Sequence, residues 1–180
     1  MYNKSIMQWE TITNIILISS IVTLAVFVIL GLYQWITRKS IKKVDRQILW
    51  LPLPLALMAL TWFLFDKIFI LNTRPNGSGE PSFPSTHVMV TATIFFVVMT
   101  ILPKYIKNKY FRFFLDILMI ILISLVCMGR VYANMHYPVD VIGGIAFAFI
   151  FSEAYYLAFK RKKKNAKHLH KNHQGWNSLL

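Results

Sequence analysis

Two segments of this chain contain the side chains needed to attack a phosphate ester. They form three patterns: K-x6-R-P at 67–75, P-S-T-H at 84–87, and R-x5-H-x3-D at 130–140. Cationic side chains bind phosphate oxygens, one histidine can act as nucleophile, and a second can act as acid. A carboxylate can orient a histidine. The groups are Lys67, Arg74, His87, Arg130, His136 and Asp140.

The elements that position these residues are strongly apolar. Hydrophobic residues make up 56% of the 180-residue chain, and the mean hydropathy is +0.51, well above the range of soluble domains. Apolar stretches cover about residues 11–36, 48–65, 87–102, 113–128 and 139–159. The first and last reach the ~20 residues that cross a bilayer. The sequence predicts an all-α, polytopic membrane helix bundle with five transmembrane helices.

Positive charge predicts the orientation of these helices. The net charge is +13, and segments 37–47, 103–112 and 160–171 hold 16 of the 20 Lys and Arg residues. Five spans put these segments on one side, which the positive-inside rule makes cytoplasmic. We therefore expect an outside N-terminus, a membrane domain over residues 1–160 and a basic cytoplasmic tail over 161–180. Topology explains the charge, so the expected partners are membrane lipids and not nucleic acid.

The same topology places all three patterns in extracytoplasmic loops. Segment 72–84 is dense in turn-forming residues, and Ser85 or Thr86 is a plausible N-cap for the third long helix. Helix N-termini present free N–H groups and a partial positive charge, which favours bound anions. We expect the Ser85 hydroxyl and nearby backbone amides, including that of Thr86, to bind a phosphate oxygen.

A second helix start brings His136 and Asp140 together. Pro138 suits a first helical turn, so His136 lies just before the helix and Asp140 within its first turn. The expected hydrogen bond runs from His136 Nδ1–H to Asp140. That bond would leave His136 Nε2 unprotonated and nucleophilic.

In these residues the chain resembles the type 2 phosphatidic acid phosphatase (PAP2) superfamily, in particular its small bacterial membrane members. The family pattern is K-x6-R-P, P-S-G-H and S-R-x5-H-x3-D, and nine specified positions match in order between residues 67 and 140. There are three departures. Thr86 replaces a glycine, Gly129 replaces a serine, and five spans replace the six that are common in the family. The first two substitutions are expected to weaken phosphate binding or shift substrate preference.

The resemblance implies a two-step, metal-independent hydrolysis without a cofactor. His136 attacks phosphorus and forms a phosphohistidine, while His87 protonates the leaving oxygen. His87 then activates water, and Asp140 orients His136. The phosphate-binding residues implied by the family are Lys67, Arg74, Ser85, Thr86 and Arg130.

A site in outer loops above apolar helices favours a lipid phosphate in the outer leaflet. The resemblance favours undecaprenyl pyrophosphate and leaves phosphatidylglycerophosphate, phosphatidic acid and lipid-linked phosphosugars open. Two other functions stay open: a lipid phosphotransferase and a catalytically idle lipid-binding membrane protein. The sequence does not indicate the oligomeric state.

Overall fold

A computed structural model describes the backbone of residues 4–177 and the side chains of residues 4–160. The predicted basic tail at 161–180 lies outside the residues whose side chains are described. A 3₁₀ turn at Ile41–Lys43 precedes the second helix, and a π-helical turn at Leu64–Ile68 extends the third. The α-helices are α1 (Lys4–Arg38), α2 (Arg46–Leu49), α3 (Pro52–Phe63), α4 (Thr86–Tyr105), α5 (Lys109–Tyr132) and α6 (Pro138–Asn177).

Within the described residues, five segments are long and apolar enough to cross a membrane, which confirms the predicted all-α membrane bundle. They are Lys4–Arg38, Arg46–Ile68, Thr86–Tyr105, Lys109–Tyr132 and Pro138–Lys160. The second segment is interrupted after α2, because Pro52 lacks an N–H and suits the start of a new helix. The first segment begins seven residues before the predicted apolar stretch and carries Trp9, Glu10 and Lys4 in its first turns.

Helix α4 is the centre of the bundle. Within its most apolar window 61% of the residues are buried, against 17–33% in the other four spans. Val88, Ala92 and Phe95 of α4 belong to one core cluster with Ile16 of α1 and Ala148 of α6. The outward faces of α1 and α5 remain apolar and exposed, as expected for helices that face lipid.

Asp45 joins the helix ends at the basic end of the bundle. Its Oδ1 pairs with Lys104 Nζ at 2.6 Å. Its Oδ2 accepts hydrogen bonds from Tyr105 Oη at 2.6 Å and Gln34 Nε2 at 3.0 Å. The C-terminal ends of α1 and α4 therefore meet here. The start of α4, the end of α5 and the start of α6 consequently lie at the opposite end, with the three sequence patterns.

Gly129 allows α1 to pack closely against α5. A Cβ at Gly129 would lie 2.5 Å from Thr13 Cγ2 and 3.0 Å from Trp9 Cε3. Thr13 itself is fully buried, and its hydroxyl donates to the Glu10 carbonyl at 3.0 Å. Thr13 therefore occupies the space that a side chain at position 129 would need.

We predict that Gly129→Ala destabilises the bundle by about 1–3 kcal/mol, the usual cost of overpacking. Thr13→Ser removes Cγ2 and keeps the hydroxyl, so the double variant should recover part of the loss. The Trp9 contact prevents full recovery. The measurement is the free energy of unfolding in detergent micelles.

Ser124→Ala is the control, because the Ser124 hydroxyl bonds only to its own helix, at Ile120 O. Alanine favours helix over glycine. A Gly129→Ala variant more stable than the wild type would therefore contradict the close packing of α1.

Candidate active site

The loop before α4 is closed on itself by backbone hydrogen bonds. Arg74 N donates to Glu80 O at 2.9 Å, and Ser82 N donates to Asn72 O at 2.9 Å. Gly77 and Gly79 turn the chain between these bonds with φ values of +76° and +74°, which other residues rarely adopt. This short, internally bonded loop thus connects the first two patterns.

Two consecutive glycines let the start of α4 approach α6. A Cβ at Gly144 would lie 3.0 Å from the Ser85 carbonyl oxygen, and one at Gly143 would overlap the Phe83 ring. The Ser85 amide donates to the Asp140 carbonyl at 3.0 Å. These contacts bring the second and third patterns side by side.

Ser85 is the N-cap residue of α4, but its side chain does not cap the helix. Its hydroxyl is buried and has no hydrogen-bond partner among the described residues. A buried hydroxyl without a partner costs free energy. The Ser85 hydroxyl is therefore available to a ligand atom.

The Asp140 carboxylate is fully buried and receives hydrogen bonds from two segments. Its Oδ2 accepts from the Ser82 hydroxyl and, at 2.8 Å, from the Tyr137 amide. Asp140 lies in the first turn of α6, where the helix dipole favours negative charge. The carboxylate thereby holds the loop before α4 against the start of α6.

His136 is oriented differently from the sequence expectation. Its Nδ1 lies 2.9 Å from the Ser82 carbonyl oxygen but 3.7 Å from Asp140 Oδ2, too far for a hydrogen bond. A carbonyl only accepts, so Nδ1 carries the proton in the neutral ring and Nε2 keeps its lone pair. The expected tautomer therefore arises through Ser82, which Asp140 holds in place.

The surroundings of His136 keep its ring uncharged. Burial, together with the nearby positive charges of Arg130 and Arg74, lowers the pKa of His136 to about 4. Asp140 and the Ser82 carbonyl act in the opposite direction but do not offset these effects. At neutral pH the imidazole is therefore a neutral base, as a nucleophile must be.

Two arginines lie close to this histidine. Arg130 is only 3% exposed, and its carbonyl oxygen accepts from the His136 amide at 3.3 Å. Asn134 makes this tight turn possible with a positive φ of 56°, which asparagine tolerates better than most residues. The Nε atoms of Arg130 and Arg74 are both buried without a hydrogen-bond partner among the described residues.

Two of the expected cations have carboxylate partners. Arg74 Nη1 pairs with Glu80 Oε2 at 2.7 Å, and Lys67 Nζ pairs with Asp66 Oδ2 at 2.8 Å. The Lys67 side chain is 59% exposed, on the π-helical turn that ends the second span. Each pair has one exposed and one partly buried partner, and ion pairs near the surface are weak enough for an incoming phosphate to displace them.

His87 lies in the first turn of α4, directly after Thr86. It is within electrostatic range of His136, Arg130 and Arg74. Its Nε2 lies 2.8 Å from the Oδ1 atom of Asn14, a residue of α1. The structure thus brings both histidines and two arginines to one end of the bundle, with Lys67 at the edge.

Sequence reasoning missed Ser82 and the contribution of α1. Ser82 had no signal of its own, because its role depends on a backbone carbonyl. Asn14 did have one, since an amide within an apolar span usually has a partner. The structure also explains why position 129 carries glycine where the family pattern has serine, because Thr13 fills the space beside it.

A solved structure shares this fold. The chain is similar to the crystal structure of a transmembrane PAP2-type phosphatidylglycerolphosphate phosphatase from Bacillus subtilis, with a TM-score of 0.61 and 23% sequence identity. The alignment covers 87% of this chain and 77% of that chain. At this identity the likeness establishes the architecture alone.

Two mammalian proteins are more similar in sequence over a shorter segment. Sphingosine-1-phosphate phosphatase 2 from Mus musculus is 36% identical over 67 residues, and that from Homo sapiens is 37% identical over 67 residues. The segment is 37% of this chain but only 18% of the mouse protein and 16% of the human one. The chain thus matches less than a fifth of the length of either relative.

A sequence model of the PAP2 superfamily matches residues 62–164. This segment is more than half of the chain and contains all three patterns, the loop before α4 and both histidines. Together with the shared architecture, the match shows that this membrane protein belongs to the PAP2 superfamily.

Proposed function

We propose that the protein is a membrane lipid phosphatase that works through a phosphohistidine and needs no metal. One observation carries this proposal: three buried donor groups lack partners among the described residues beside a neutral histidine. They are Ser85 Oγ, Arg74 Nε and Arg130 Nε. Phosphate oxygens would satisfy all three.

In the first step, His136 Nε2 attacks phosphorus and the bond from phosphorus to the lipid oxygen breaks. His87 gives a proton to that oxygen, and a lipid alcohol or a lipid phosphate leaves. Arg74, Arg130 and Ser85 stabilise the negative charge on the phosphoryl oxygens in the transition state. Lys67 would add a further positive charge after leaving Asp66, and the Thr86 amide a further donor.

In the second step, water attacks phosphorus and the bond from phosphorus to Nε2 breaks. His87 takes the proton from that water, and inorganic phosphate leaves. The two arginines and Lys67 neutralise the phosphate without a metal ion. Asp140 acts through Ser82, whose carbonyl keeps the Nδ1 proton of His136 in place.

The substrate is proposed to be a phosphate carried on a lipid. The site lies at one end of a bundle whose outward faces are apolar, so a lipid tail can stay in the bilayer while its phosphate binds. Similar proteins are named for phosphatidylglycerolphosphate and sphingosine-1-phosphate, which are phosphate monoesters. Undecaprenyl pyrophosphate, favoured by sequence reasoning, is the diphosphate to compare with them.

Phosphate release by the purified protein is the first test. We expect release from at least one of undecaprenyl pyrophosphate, phosphatidylglycerophosphate, phosphatidic acid and sphingosine-1-phosphate, and we expect EDTA to leave the rate unchanged. His136→Ala should abolish both release and labelling by a ³²P-phosphate donor. General acid catalysis typically contributes ~10²–10⁴-fold, so His87→Ala should slow turnover within that range.

Ser124→Ala serves as a matched control for handling and detergent. A His136→Ala variant with normal turnover would refute the nucleophile assignment. A phosphorylated acceptor in place of free phosphate would show a phosphotransferase. Stable lipid binding without turnover in the wild type would show an idle binding protein.

The pH profile should report the low pKa of His136. The attacking form is neutral, and the ordinary histidine pKa is ~6.5. Since burial and the arginines lower the pKa to about 4, the neutral form persists as the pH falls from 7 towards 4. We predict that kcat/KM for p-nitrophenyl phosphate, whose leaving group needs no proton from His87, stays level to about pH 5 and declines below it once corrected for the titration of the substrate phosphate.

Histidine ¹⁵N chemical shifts of the substrate-free protein, with His136→Ala to assign the signal, measure the same titration directly. A midpoint near that of a free histidine for His136 would contradict the buried, cation-flanked site.

We further propose that the active site faces outward and the C-terminal tail faces the cytoplasm of a bacterial cell. The support is the concentration of Lys and Arg at the end of the bundle opposite the site. We predict that a reporter fused after Leu180 is active only in the cytoplasm. A reporter inserted after Gly77 should be active only outside, and the reverse pattern would place the site inside the cell.

A further inference from the structure

Helix α1 lies outside the segment matched by the PAP2 model, yet its first turns contact the site. Trp9 stacks on Tyr132 with 5.7 Å between ring centroids. Thr13 fills the space beside Gly129, and Glu10 lies within electrostatic range of Arg130. One stretch of α1 therefore contacts the end of α5 that carries the third pattern.

Asn14 belongs to the same stretch and contacts the second pattern. Its Oδ1 lies 2.8 Å from His87 Nε2. Asn14 is exposed at the edge of the bundle, directly after the buried Thr13 and four residues after Glu10. The contact with His87 is the hydrogen bond that the structure gives to the Asn14 side-chain carbonyl.

We propose that Asn14 is a positioning residue that holds the Nε2 proton of His87 and leaves Nδ1 as the nitrogen that exchanges protons. This inference rests on the proposed phosphatase function. An amide oxygen only accepts hydrogen bonds, so the bonded Nε2 carries a proton in both charge states of the ring. Asn14 does not touch the substrate and acts through His87.

The proton balance of both steps follows from this tautomer. In the first step the ring, doubly protonated in the complex with the phosphate dianion, gives its Nδ1 proton to the leaving oxygen and becomes neutral. In the second step the Nδ1 lone pair takes a proton from the attacking water, and the ring becomes charged again. The Nε2 proton stays with Asn14 throughout, so the ring does not need to turn between the steps.

The amide also suits the electrical demands on His87. A carboxylate at position 14 would stabilise the charged ring strongly in a low-dielectric setting and would hold back its proton. An apolar side chain would leave the ring free to rotate and its Nε2–H without a partner. The neutral acceptor orients the ring and still permits proton release.

The test compares Asn14→Asp and Asn14→Leu with Thr23→Val in the full-length protein. Thr23 is a matched control on the same helix, because its hydroxyl bonds only to Ser19 O of α1. The substrates are phosphatidic acid, whose leaving group is an alkoxide, and p-nitrophenyl phosphate, whose leaving group needs no proton. Steady-state rates, the burst of p-nitrophenol and the pH profile are recorded.

For Asn14→Leu we expect kcat with phosphatidic acid to fall about 10- to 100-fold, part of the ~10²–10⁴-fold typical of acid–base catalysis. The burst of p-nitrophenol should persist, because attack by His136 is intact. For Asn14→Asp we expect the basic limb of the pH profile to move to higher pH. A merely structural role would change neither the leaving-group dependence nor the pH profile.

Three outcomes separate the inference from the function on which it rests. If the wild type releases phosphate and both Asn14 variants match Thr23→Val, Asn14 does not position His87. If the burst is lost together with kcat, Asn14 supports the whole site and the inference also fails. If the wild type releases no phosphate from any substrate, the proposed phosphatase function is refuted, and the role of Asn14 falls with it.

Discussion

The arrangement of the site depends on one buried carboxylate. Asp140 accepts hydrogen bonds from the Ser82 hydroxyl and the Tyr137 amide, while its own carbonyl accepts from the Ser85 amide. Both side-chain bonds are made to Oδ2, whereas the buried Oδ1 has no partner among the described residues, and donors of this kind offset the cost of burying a carboxylate. Separating the loop before α4 from the start of α6 would leave this buried carboxylate without its donors, at a large cost in free energy. The two histidines lie next to this junction, His87 at the start of α4 and His136 just before α6.

Close helix packing makes the junction possible. Gly143 and Gly144 let the Phe83 ring and the Ser85 carbonyl approach α6, and Gly129 lets Thr13 approach α5. Small residues serve the same purpose in membrane proteins generally, because helices in lipid associate through close packing and not through expulsion of water. These three glycines carry no functional side chain, but they are the positions at which the helices pack most closely.

The electrostatics of the site suit a doubly charged ligand. Arg130 is almost completely buried, and Arg74 is partly exposed beside Glu80. Burial and these two charges lower the pKa of His136, so its ring is neutral at pH 7. In the proposed mechanism the same two charges bind the phosphate and stabilise the negative charge that develops on its oxygens.

The sequence alone determined the helix class, the five spans and the end of the bundle at which the patterns meet. Hydropathy, charge and motif spacing are properties of residue type and order, so they can be read without coordinates. Only the tertiary structure decided which atom orients His136. The carbonyl of Ser82 takes the place expected for Asp140, because a backbone carbonyl carries no signature in a sequence. Contacts across helices also needed the fold: Asn14 and His87 are 73 residues apart and meet only because α1 packs against α4.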